Sequence, residues 1–209
     1  MYSALATYLA LEGEHYQASQ KAGPLAVMME DFRSQGQAAR QVFTRLAQAF
    51  QAHHPDWDLH RTSQWMNQAQ VLRPHFWAYL QAEGTISEPM MALRLYGKPE
   101  DFGVSLEVSF LERKKDDLSL AKQARVLSCE IESPLYYLVQ GLDCSQQIQA
   151  GPGVRQQLEA GIHQGQIRKV LVKGNVDLTR AEDEGAVLDQ LDALYQLLEP
   201  VYQATKGLL

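Results

Sequence analysis

Three patterns in this sequence predict an α+β fold, with a helical N-terminal layer packed on a small, mostly antiparallel sheet of about four strands and a long C-terminal helix. The first is a run of apolar residues at helical spacing between Pro24 and Phe50. The second is a strictly alternating stretch from Gly103, in which Val104, Leu106, Val108 and Phe110 fall on one side. The third is a change of character near Gly84, after which strand-like and helix-like segments interleave.

Taken in order, Ser3 to Gln20 reads as a short helix with Leu5, Tyr8, Leu9 and Tyr16 inward. Pro24 suits the first turn of the next helix, whose inward stripe is Leu25, Met28, Phe32, Ala39, Phe43, Leu46 and Phe50. Thr62 or Ser63 caps a further helix to about Leu72, and Pro74 starts another turn or two through Leu80. Residues 1–85 are therefore expected to be the helical part, and 86–209 the part that holds the sheet.

Met90 to Tyr96 is the first predicted strand, and the Gly97-Lys98-Pro99-Glu100-Asp101 loop returns the chain in an antiparallel hairpin to the strand from Gly103. Asp116 or Asp117 begins a helix to Leu127, Leu135 to Val139 is a third strand, Gly153 to His163 a helix and Ile167 to Lys173 a fourth strand. Tyr136 and Tyr137 point to opposite faces, one into the core and one outward. Thr179 with Glu182 forms a capping box for the last helix, which buries Leu188, Leu191, Leu194, Tyr195 and Leu198 and ends or kinks at Pro200. The expectation is one domain over residues 1–209.

Charge and cysteine content narrow the function classes. Nineteen basic and 25 acidic residues give a net charge of -6, so the overall field repels nucleic acid and anionic lipid, and any polyanion must be held by a local patch. Cys129 and Cys144 are too few for a disulfide framework and have no zinc-finger spacing, which fits reduced thiols in a cytoplasm. The N-terminus lacks a basic region before its apolar run, and no segment has the roughly 20 apolar residues that cross a membrane, so no membrane partner is expected.

The alternating strand ends in Glu112-Arg113-Lys114, and its period of 2 carries Glu112 and Lys114 to the rim of the apolar side. An apolar strand running into Glu-x-Lys resembles the motif of the PD-(D/E)xK nuclease superfamily over about fifteen residues, Pro99 to Lys114. The resemblance implies Glu112 and Lys114 as catalytic residues, a divalent metal, and Asp101 as the upstream carboxylate. In an unbroken strand, however, Asp101 and Glu112 stand roughly 35 Å apart, too far to share one metal. Glu107 has odd parity and faces the other way, which leaves Glu130 or Glu132 as the second acid. A divalent metal is therefore expected only if this nuclease or phosphodiesterase alternative holds.

A second candidate site is cationic: Arg113 and Lys115 with Lys114 on one strand, Lys169 and Lys173 with Arg168 on another. If the two strands are neighbours, these charges form a patch for an anionic ligand or nucleic acid. If not, they are solvated residues that discourage edge-to-edge pairing. A third is aromatic, because Trp57, Trp65 and Trp77 fall within 21 residues beside His75, Phe76 and Tyr79. Such a cluster is expected chiefly as core, with Arg73 and His75, beside Trp77, its exposed members if it lines a groove. His53-His54-Pro55-Asp56-Trp57-Asp58-Leu59-His60 is rich in ligand-type side chains but has no recognised metal spacing and reads as a turn between helices. Gly151-Pro152-Gly153 lacks a nucleotide-binding pattern and reads as a helix-start turn. No metal site is expected from these segments. The expected function is thus a cytoplasmic binding or accessory protein for an anionic ligand, nucleic acid or protein partner, with the metal-dependent nuclease as the alternative.

Overall fold

The computed structural model describes residues 1–82, 88–110, 117–142 and 144–206, excepting the side chains of 117 and 118. Its helices are α1 (Ser3–Leu9), α2 (Ala26–His53), α3 (Asp117–Ala124), α4 (Val154–His163) and α5 (Glu184–Thr205). Its strands are β1 (Asp58–Leu59), β2 (Trp77–Gln81), β3 (Met90–Lys98), β4 (Asp101–Ser109), β5 (Tyr136–Gly141), β6 (Ser145–Gln149) and β7 (Ile167–Asp177). All the strands join one antiparallel sheet in the order β1-β2-β3-β4-β7-β5-β6. The α+β class holds, but the sheet has seven strands where about four were expected.

The extra strands are those with the weakest sequence pattern. β1 is two residues long, and β6, Ser-Gln-Gln-Ile-Gln, has no apolar alternation. β2 lies where Pro74 suggested a helical turn. There His75, Trp77 and Tyr79 alternate with Phe76, Ala78 and Leu80, and the Leu95 amide donates to the Phe76 carbonyl at 2.9 Å. Aromatic residues on a period of 2 suit a pleated surface, and pairing with β3 decides the outcome. No helix forms between Thr62 and Leu72. Instead Arg40 on α2 donates to the carbonyls of Thr62 and Ser63, each at 2.9 Å, and fixes that segment as an extended loop.

α1 stops at Leu9 rather than Gln20, because Gly13 turns with φ 83° and the following chain leaves the helix to bond Gln70 through the Tyr16 amide. α2 follows a 3-10 turn that contains Pro24, as expected. Its buried stripe is Met29, Phe32, Gly36, Ala39, Phe43, Leu46, Ala47 and Phe50; Leu25 and Met28, expected inward, are exposed. Gly36 lies against the Trp65 indole, and a Cβ there would meet the ring at 2.7 Å. Asp183, not Thr179, caps α5 by accepting from the amides of Gly185 and Ala186. Thr179 instead bonds the Phe102 backbone, and α5 continues through Pro200 to Thr205.

These elements form two unlike sheet faces. One carries Phe76, Leu93, Val104, Leu106, Val108, Val172 and Tyr137, all of which join α1, α2, α4 and α5 in a continuous buried cluster. The other is polar at its centre, and its separate apolar cluster consists of Tyr79, Met90 and Ala92 packed with Trp77. Tyr136 and Tyr137 do point to opposite faces, yet both are buried. No described helix is long and apolar enough to cross a membrane.

Candidate functional site

The polar face is built from charged side chains set within strands. Pairing sets Trp77 opposite Arg94, Arg94 opposite Ser105, and Ser105 opposite Asn175. One register step along, Ala92 faces Glu107, Glu107 faces Lys173, and Lys173 faces Tyr136. Side chains opposite one another in neighbouring strands share a face, so five strands deliver one contiguous patch.

Glu107 is its anchor, with no solvent exposure. Arg94 grips it as a fork, with Nη2 2.9 Å and Nε 3.2 Å from Oε1, while Lys173 Nζ lies 2.8 Å from Oε2. Burial pushes the Glu107 carboxyl up, but the two cations and their hydrogen bonds outweigh it and hold the group down at about 2. A carboxylate in such a place is tolerable only because both its oxygens are paired. It also fixes Arg94, whose guanidinium carbon lies 5.6 Å from the centre of the Trp77 ring.

Arg73 approaches the same indole more closely, at 4.8 Å, and donates from Nε to the Met66 carbonyl. His75 lies 5.6 Å from Trp77, ring to ring. Burial, then the charges of Arg94 and Lys173, lower its pKa to about 4, so the imidazole is neutral near pH 7. Tyr136 donates to Asn175 Oδ1 at 2.9 Å, and burial raises its phenol to about 12. Among the described residues the patch thus gathers Arg73, Arg94 and Lys173 with the carboxylate of Glu107 around a half-buried tryptophan. Its chemistry is that of holding negative charge beside a flat ring.

The predicted residues are distributed as follows. Trp77 and Lys173 lie on the patch, with Lys173 committed to Glu107. Lys169 is buried on the same face of β7, opposite Gln140 and four residues from Lys173. β4 and β7 are indeed neighbours. Glu112, Arg113, Lys114 and Lys115 lie outside the described residues. Asp101 sits in the β3–β4 hairpin opposite Lys98. Glu130 and Glu132 line an open groove of about 470 Å³ beside Tyr137, Gly151 and Arg155.

The tryptophan cluster divides: Trp57 and Trp65 are core, and Trp77 faces the patch. His53 and His54 both bond Asp192 on α5, at 2.6 and 2.9 Å, and His60 bonds Gln81. Among the described residues no group of three or more His, Cys, Asp or Glu is arranged to hold a metal.

Arg94 and Asn175 were not singled out from sequence, Glu107 was set aside for its parity, and Tyr136 was noted only as half of an opposite-facing pair. The available signal was a charge set among apolar residues in each of three well-patterned strands: Arg94 in Met90–Lys98, Glu107 in Asp101–Ser109 and Lys173 in Ile167–Asp177. No protein-family model, curated protein or solved structure matches this chain.

Proposed function

We propose that the polar face of the sheet binds an anionic ligand, and that the protein is a binding or accessory protein acting in the cytoplasm. The observation that carries this reading is Trp77 flanked by the guanidiniums of Arg73 and Arg94, with Arg94 fixed by the buried Glu107. A preset cation loses less freedom on binding than a free surface lysine, so a ligand held here gains affinity from the rigid frame. The indole adds a flat apolar surface, which suits an anion bearing a ring, such as a nucleotide unit. Both cysteines are free thiols, in keeping with a reducing compartment.

The test is calorimetric titration with pyrophosphate, adenosine triphosphate and a short single-stranded oligonucleotide. Binding of at least one should weaken steeply with added salt. Arg73→Gln and Trp77→Leu should each weaken it about tenfold, and Lys169→Ala severalfold. Binding that ignores salt and all three substitutions, or no binding by any of the three probes, contradicts the proposal.

A further inference from the structure

The two edges of the sheet are finished differently. β1 is two residues long and includes Asp58, so that edge is short and charged. β6 forms the opposite edge with five residues, Ser145-Gln146-Gln147-Ile148-Gln149, none of them charged and none a proline. An edge without those guards is a template for another strand.

The direction in which β6 offers its backbone follows from its hairpin with β5. The Gly141 amide donates to the Cys144 carbonyl at 2.9 Å, which makes Gly141 and Cys144 a bonded pair. In an antiparallel ladder such pairs alternate, so Val139 with Gln146 and Tyr137 with Ile148 are bonded pairs as well. The amides and carbonyls of Ser145, Gln147 and Gln149 consequently point away from β5, and these three residues are exposed. Ile148 packs toward the main core and anchors the strand, so the edge is held in place while its outer backbone is open.

We propose that β6 is a self-association edge, at which two copies of the chain pair β6 with β6 antiparallel about a two-fold axis at Gln147. This register sets each Ser145 opposite the other copy's Gln149 and Gln147 opposite its own counterpart. All three outward-facing residues then fall in bonded pairs, and the two sheets become one. A second copy suits this edge better than a charged peptide, because the strand is neutral and its side chains complement themselves. A glutamine amide is both donor and acceptor and pairs with another glutamine across the axis. The interface is separate from the anion-binding patch at Trp77.

Sedimentation velocity over a concentration series up to about 100 µM, where weak pairs assemble, should show the chain passing from one to two copies. Gln147→Pro removes an outward amide but leaves the ladder to β5 intact, and Gln147→Lys sets like charges face to face. Each should weaken dimerisation at least tenfold with the melting temperature little changed. Should the proline variant fail to fold, the lysine variant decides. A wild-type chain that stays monomeric throughout the series, or a dimer unaffected by Gln147→Lys, overturns the proposal.

Discussion

The helix-covered face of the sheet and the polar face share strands and backbone, yet their interiors are organised by opposite rules. On the covered face, Leu106 and Val108 are buried by shape-matched apolar neighbours, and any one of them is replaceable by a residue of similar volume. On the polar face, Glu107 is equally inaccessible, one position away, but its burial depends on two specific partners, Arg94 and Lys173. The difference teaches where selection for something other than stability acts. An apolar trio of the same volume commonly serves stability as well or better than a buried ion triad. A polar face that keeps one, with Trp77 and His75 beside it, carries the marks of a site.

The sharpest way to break the comparison is to remove Glu107. Glu107→Ala strands Arg94 and Lys173 without their carboxylate and should cost about 3–5 kcal/mol, whereas replacing all three by apolar residues should restore much of the loss. Chemical denaturation of the single and triple variants reads this directly. On the covered face, Leu106→Ala should cost about 2–5 kcal/mol through the cavity it leaves, and no compensating charge change should rescue it. Gly36→Ala should cost about 1–3 kcal/mol by forcing the Trp65 ring aside, against the usual gain of alanine in a helix. Asp183→Ala, which removes the α5 cap, should cost about 1 kcal/mol in the same assay.

Acid should separate the polar face from the covered one. His75 has a folded pKa of about 4 against about 6.5 unfolded, so the unfolded chain binds the extra proton between them. Its contribution to stability is whole above about 6.5 and drains as pH falls to 4. Glu107, at about 2 folded against about 4.3 unfolded, contributes fully above the unfolded value and loses that contribution as pH falls toward 2. Melting temperature should therefore decline in two stages on acidification, and His75→Gln should abolish the first stage alone. A first stage that persists in that variant would show that another group causes it.

Legibility in the sequence followed the strength of local patterns. The apolar stripe from Phe32 to Phe50, the Met90 and Gly103 strands and their hairpin, and the helix after Gly153 could be read because one periodicity dominates each. β2 was misread because Pro74 suggested a helix start, while the deciding influence was pairing with β3, which lies beyond any local window. β6 was missed because glutamine carries no periodic signal. The site was legible only in fragments. Trp77 and Lys173 were named for their type, but Glu107 was set aside because its odd parity turned it from the core. That parity is what places it on the polar face, and only the strand order β2-β3-β4-β7 reveals its partners there.

The central claim is that the polar face, and Trp77 in particular, receives an anion. The three tryptophans give three indole N–H resonances in nuclear magnetic resonance spectra, one from this face and two from the core. Titrating whichever anionic probe binds in calorimetry should move the Trp77 resonance progressively while those of Trp57 and Trp65 stay fixed. A saturating titration that leaves Trp77 unmoved, or shifts only the two core indoles, contradicts the account.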